Sequence, residues 1–123
     1  MMVSAKQIGT GGENHAAFFL SFKGFELLHR NWRAGHLEID IIAKDGNKLV
    51  FIEVKSRFRK VGNIHPEDMV NATKQKKLIL AAQKYLNKFP HDGPLRFDVI
   101  SIVTNAFSRH LYYHPDAFFP MGD

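Results

Sequence analysis

Residues 37–55, LEIDIIAKDGNKLVFIEVK, carry three carboxylates and a lysine whose spacing can build a divalent-cation site: Glu38, Asp40, Glu53 and Lys55. Asp45-Gly46 lies between two β-rich runs, LEIDIIA and KLVFIEVK, and Asp-Gly in that position signals a hairpin. A two- or four-residue loop centred there pairs Ala43 with Lys48, Asp40 with Phe51 and Glu38 with Glu53. In that register Leu37, Ile39, Ile41, Val50, Ile52 and Val54 share one apolar face, while Glu38, Asp40, Glu53 and Lys55 gather on the other. Asp40 and Glu53 then become diagonal cross-strand neighbours, with Cα atoms roughly 7–8 Å apart.

Clustered carboxylates repel one another unless a positive charge sits among them. The chain has no cysteine, and hard oxygen donors favour Mg²⁺ or Mn²⁺, held by one or two carboxylates and otherwise by water and substrate phosphate. Such an ion lowers the pKa of a bound water and polarises a phosphoryl oxygen. Lys55, two residues after Glu53, is placed to hold the attacking water or to offset charge on the phosphorus. This is the chemistry of phosphodiester hydrolysis. Alternating acids and bases also occur on plain solvated strands, and an Asp followed by Glu-x-Lys is a pattern of low specificity, so the rest of the chain has to be weighed.

The elements that must position these residues are legible. Gly11-Gly12 precedes a helical stretch, Glu13 to Lys23, with Gly24 at its C-terminal cap, and FELLHRNWR reads as a first strand before the hairpin. Ser56 to His65 reads as a polar, basic loop, and Pro66-Glu67-Asp68 as a helix start. Val70, Leu78, Ala81, Ala82, Tyr85 and Leu86 fall on one face at helical spacing, with Lys76, Lys77, Lys84 and Lys88 largely off it. After the turn HDGP, RFDVISIV is a strand, and HLYY a short final one. A strand, a helix and a further strand form a crossover unit, so the fourth strand runs parallel to the third in a mixed sheet.

With 123 residues, 45% of them hydrophobic, residues 1–123 make a single domain with a real core. The absence of cysteine excludes disulfides and thiolate zinc sites and suits a reducing, cytoplasmic setting. No apolar run reaches signal-peptide or membrane-spanning length, so a soluble protein with no membrane partner is expected. The net charge of +5 is uneven: Lys55 to Lys88 holds nine Lys/Arg against Glu67 and Asp68, a net of +7, which leaves −2 for the remainder. That stretch points to a polyanionic partner such as nucleic acid, or else to a lysine-rich solvated helix face. His110 and His114 have the i, i+4 spacing of helical zinc ligands, but Leu-Tyr-Tyr between them reads as strand and removes that meaning, while His36 reads as a turn residue.

Several spaced motifs, GGENHAAFFL, RNWR, LEIDIIAKDGNKLVFIEVKSR, the K-x3-L-x2-AA-x2-YL pattern of Lys74 to Leu86, and RFDVISI, give the chain a resemblance to the YraN-like uncharacterised protein family over nearly its whole length. That family looks like a branch of the restriction-endonuclease-like, or PD-(D/E)xK, nuclease superfamily, similar in layout to archaeal Holliday-junction resolvases. The resemblance implies a restriction-endonuclease-like α/β fold: a central mixed sheet of four to five strands flanked by helices, in the order α-β-β-β-α-β-β. It implies metal ligation by Asp40, Glu53 and the carbonyl of Val54, with Lys55 as the catalytic lysine and Glu13 as an acid brought by the first helix. Glu38 matches the acid of the family's Gly-Glu-Ile-Asp segment, where Leu37 here replaces the glycine. Lys74 and Gln75 occupy the place of a supporting polar residue, or are surface groups. Arg57, Arg59 and Lys60, followed by Lys76 and Lys77, suit phosphate contacts. The expected activity is a Mg²⁺- or Mn²⁺-dependent endonuclease on DNA, in preference to RNA, with branched or otherwise structured DNA as substrate and a homodimer as the form suited to a symmetric junction. The rival expectation is a nucleic-acid-binding adaptor that keeps the fold without cleaving.

Overall fold

The computed structural model describes residues 5–58 and 70–118, with side chains from residue 11 onward. The elements follow in the order α1 (Ala5–Phe22), β1 (Glu26–Ala34), β2 (Leu37–Asp45), β3 (Lys48–Phe58), α2 (Ala72–Lys88), β4 (Leu95–Thr104) and β5 (Arg109–Phe118). The five strands form one sheet in sequence order, antiparallel throughout except where β3 and β4 run parallel across the α2 crossover. The mixed α/β arrangement and the α-β-β-β-α-β-β order are those the sequence predicts.

Both faces of the sheet are covered, because β2, β3 and β4 carry apolar residues on both sides. On one face Ala16 and Leu20 of α1 pack against Ile41, Ala43, Val50, Ile52, Ile100 and Ile102. On the other, Leu78, Ala81, Ala82 and Tyr85 of α2 pack against Leu37, Ile39, Ile42, Leu49, Phe51 and Phe97. Near-continuous hydrophobic runs are what strands buried on two sides require.

Four local expectations are corrected. The helix α1 begins at Ala5, so Gly11 and Gly12 lie inside it rather than ahead of it. The glycine at position 12 lets the helix approach β3, since a Cβ there would fall 2.1 Å from Ser56 Oγ. The helix α2 starts at Ala72, capped by Asn71, whose side chain accepts from the Lys74 N–H at 2.9 Å; Pro66-Glu67-Asp68 lies outside the described residues. The last strand is ten residues long, where only HLYY reads as strand from sequence. Finally, the β2–β3 loop is Gly46-Asn47, with pairs Asp45↔Lys48, Ala43↔Val50 and Ile41↔Ile52. Gly46 takes a φ of 63° at the first loop position, where a type II′ hairpin needs glycine. The register thus moves by two residues, and its last regular pair, Ile41↔Ile52, stops just short of Asp40 and Glu53.

The single apolar face expected for the hairpin is also replaced. Leu37 and Ile39 belong to the α2-side core, whereas Ile41 belongs to the α1-side core, so β2 changes sides at Asp40. Opposite it, between the pairs Arg30↔Ile41 and Trp32↔Ile39, Asn31 of β1 has a φ of 53°, a conformation that asparagine tolerates.

Candidate metal centre

The side switch leaves Asp40 where regular pairing of β2 with β3 ends. Its Oδ2 accepts the backbone N–H of Val54 at 2.8 Å, taking the place of a ladder carbonyl. Glu53 lies beside it, 6% exposed, and the two carboxyls are close enough to share a proton. Burial, followed by the proximity of Glu53, pushes the Asp40 carboxyl up to about 8, against the opposing pull of the Val54 N–H and of Lys74.

The cleft around this pair, about 290 Å³, is lined by Glu13, Glu38, Asp40, Glu53, Val54 and Ser56. Glu13 reaches it because Gly12 seats α1 close over β3. Burial first, then the charges of Asp40 and Glu38, raise the Glu13 carboxyl, while Arg30 opposes them. Glu38 turns its carboxylate toward Arg33 across the β1–β2 pair at 3.2 Å. Leu37, which stands where the family pattern has glycine, sends its side chain into the α2-side core, away from the cleft.

Glu53 points to the α2 face, and there Lys74 Nζ stands 3.4 Å from its Oε2. The contact is one of charge without hydrogen-bond geometry, because that same oxygen is buried with no hydrogen-bond partner among the described residues. Lys74 thus contacts a cleft carboxylate while its own side chain stays 42% exposed. Gln75 instead donates to the Val70 carbonyl at 2.9 Å and secures the start of α2. Lys55 is half-buried on the same face of β3 as Glu53, next to Ser101 of β4, and forms no ion pair among the described residues.

The remaining site expectations divide by position. Arg57 is half-buried near the end of β3, and Lys76 and Lys77 are exposed on α2. Arg59 and Lys60 lie outside the described residues. His36 is exposed at the β1–β2 turn, and His110 and His114 sit on the extended strand β5, too far apart along it to share an ion.

Among the described residues no three His, Asp or Glu side chains form a ready-made metal cage. The donor set nevertheless fits a hard cation that keeps much of its water: two adjoining carboxylates beside Val54, with Glu53 Oε2 and Glu13 Oε1 both buried and without hydrogen-bond partners among the described residues.

A second buried carboxylate escapes a reading of the sequence as strand and turn. Asp98, 1% exposed, accepts from Arg96 Nε and Nη2 at 2.9 Å each, from the Tyr113 hydroxyl at 2.5 Å, and from the Asp116 N–H at 2.8 Å. The signal for it was an acid inside the apolar run RFDVISIV, where only a partnered carboxylate can be buried. These bonds hold β5 to β4 where the register shifts between Phe97 and Val99.

Residues 12–102 match the model of the uncharacterised protein family UPF0102. Relatives described as UPF0102 proteins include one from Bacteroides thetaiotaomicron, 37% identical over 97% of this chain and 98% of its own. Another, from Phocaeicola vulgatus, is 39% identical over 97% and 98% of the two chains, and one from Chloroherpeton thalassium is 41% identical over 90% and 88%. With that match over most of its length and relatives of this identity, the chain belongs to the UPF0102 family, the one the sequence motifs resemble.

Proposed function

We infer that the protein is a metal-dependent endonuclease with a restriction-endonuclease-like fold, hydrolysing phosphodiester bonds in DNA. The observation that carries this reading is that Asp40 and Glu53, the residues next after the last regular pair Ile41↔Ile52, both open on one acidic cleft. Asp40, Glu53 and the Val54 carbonyl would hold Mg²⁺ or Mn²⁺, which when bound supplies Lewis-acid activation of water and of the phosphoryl group. The Val54 N–H fixes the Asp40 carboxylate, so one ligand is positioned before any cation arrives. Lys55 then orients the attacking water and offsets charge that develops on the phosphate. Glu13 closes the cleft from the α1 side. The element order and the parallel β3–β4 crossover support the fold assignment.

Labelled duplex, single-stranded and four-way-junction DNA, incubated with and without Mg²⁺ or Mn²⁺, test the reading. Metal-dependent cleavage that Asp40→Asn abolishes supports it. Absence of cleavage on every substrate, or undiminished cleavage by Asp40→Asn, refutes it. A two-fold pair of chains would suit a symmetric junction.

One observation favours a second reading, a nucleic-acid-binding adaptor that no longer cleaves. The Lys74 ammonium beside Glu53 already supplies part of the positive charge that a cation would bring. Salt-sensitive DNA binding that persists in chelator, together with no turnover, would favour this reading.

A further inference from the structure

The sheet end that carries the cleft also carries an aromatic and cationic row that the cleavage chemistry does not use. Phe58 of β3 pairs with Thr104 of β4, and Thr104 with Arg109 of β5, so the three stand side by side on neighbouring strands. Strand alternation puts Phe58 on the α1 face with Ser56, and Ser56 lines the cleft. The two positions are separated by about 7 Å along the strand. Arg109 shares that face, because its Nη1 donates to the Gly11 carbonyl of α1 at 3.2 Å. Gly12, the next residue, is the one against Ser56. The row therefore starts beside the cleft, at Phe58, and runs from there across β4 to β5 on the α1 face.

Beyond the row the chain turns at 105–108. The turn is well held: the Asn105 N–H donates to the Ser108 carbonyl at 2.8 Å, and Asn105 Oδ1 accepts the N–H groups of Phe107 and Ser108 at 2.8 Å each. At its tip Phe107 is 97% exposed, and Phe58 is 52% exposed. A single exposed phenylalanine is ordinary on a protein surface. Two of them at one sheet end, one on an ordered tip, with an arginine at the end of the same turn and an acidic cleft near Phe58, make a different arrangement.

We propose that Phe107 and Phe58, with Arg109, form a base-stacking platform that selects single-stranded nucleic acid, holding unpaired bases next to the phosphate in the cleft. An aromatic ring stacks on any base whose π-face is free, and an arginine neutralises the adjoining phosphate. In continuous duplex those faces are covered by neighbouring base pairs, so the platform discriminates against it. The proposal rests on the nucleic-acid reading above and adds the substrate's secondary structure to it.

Fluorescence anisotropy of a labelled oligothymidylate and of a duplex of equal length, in chelator so that cleavage plays no part, provides the test. Phe107→Ala is expected to weaken single-strand binding about fivefold or more and to leave duplex binding unchanged. Phe107→Trp is expected to retain affinity, with its indole emission quenched by the oligothymidylate relative to that of wild type, whose tryptophan is Trp32. Exposure of position 107 keeps both variants folded, which circular dichroism confirms. Equal single-strand affinity of wild type and Phe107→Ala, or no added quenching in Phe107→Trp, overturns the platform while leaving the nuclease reading intact. Failure of wild type to bind any nucleic acid overturns both. Concentration-dependent self-association that Phe107→Ala abolishes, with nucleic-acid binding unchanged, would reassign the tip to contact between copies of this chain.

Discussion

The Val54 N–H donates to Asp40 Oδ2 at 2.8 Å, so a carboxylate from β2 satisfies a backbone donor of β3 just past the last regular pair, Ile41↔Ile52. One residue serves both as a strut between diverging strands and as a candidate ligand. Asp40→Asn keeps an acceptor for that N–H and removes the charge, so it should fold and lose Mg²⁺ binding. Asp40→Ala leaves the N–H unpaired and should cost about 1–3 kcal/mol in addition. Isothermal titration with Mg²⁺ and urea unfolding separate the two effects.

The Asp40 carboxyl should favour acid in the metal-free protein. Burial and Glu53 raise the Asp40 carboxyl to about 8 from an ordinary unfolded value, so the folded state holds its proton more tightly than the unfolded chain. That contribution is complete below about pH 4 and is lost as pH rises through 8. Saturating Mg²⁺ should reverse the trend in the upper part of this window, because the ion stabilises the deprotonated pair. Melting temperatures of wild type and Asp40→Asn across the range, with and without Mg²⁺, check the sign; a metal-free wild type that gains stability relative to Asp40→Asn as pH rises from about 4 to 8 would contradict it.

Lys55 and Lys74 should separate cleanly. Lys55→Ala is expected to lower cleavage by about 100-fold or more with Mg²⁺ affinity preserved, since its role begins after the ion is bound. Lys74→Gln removes the ammonium 3.4 Å from Glu53 and should tighten Mg²⁺ binding by relieving a competing charge. Calorimetric titration of both variants beside a cleavage assay reads the split.

Asp98→Ala should be far more damaging to stability than its distance from the cleft suggests. It strands the guanidinium of Arg96 and leaves the Tyr113 hydroxyl and the Asp116 N–H without their acceptor. Removing one partner of a buried pair costs about 3–5 kcal/mol. Arg96 has a second carboxylate in Asp45 at 3.1 Å, which places the expectation at the lower end of that range. Equilibrium urea unfolding measures it.

Gly12→Ala should push α1 away from β3, because the new Cβ falls 2.1 Å from Ser56 Oγ. A loss of about 1–3 kcal/mol is expected for such overpacking. Ser56→Ala in the same chain should recover part of it, since the clash is chiefly with the hydroxyl. A double-mutant cycle on unfolding free energies gives the coupling.

Local patterns in the sequence determined the order of helices and strands, the apolar stripe of α2 from Leu78 to Tyr85, the parallel crossover, and the family motifs. These follow from short-range rules of side-chain period, turn chemistry and connection handedness. The two-residue error in the hairpin's centre left Ile41, Val50, Ile52 and Val54 on one face, as expected, but Leu37 and Ile39 came to lie on the other. The side switch at Asp40, the reach of Lys74 to Glu53, the close seat of α1 at Gly12 and the alignment of Phe58, Thr104 and Arg109 across three strands were decided only by the tertiary structure. Each depends on how a helix or strand remote in sequence packs against β3. No window of neighbouring residues contains that information, because the free energy that fixes it comes from burying both faces of one sheet at once.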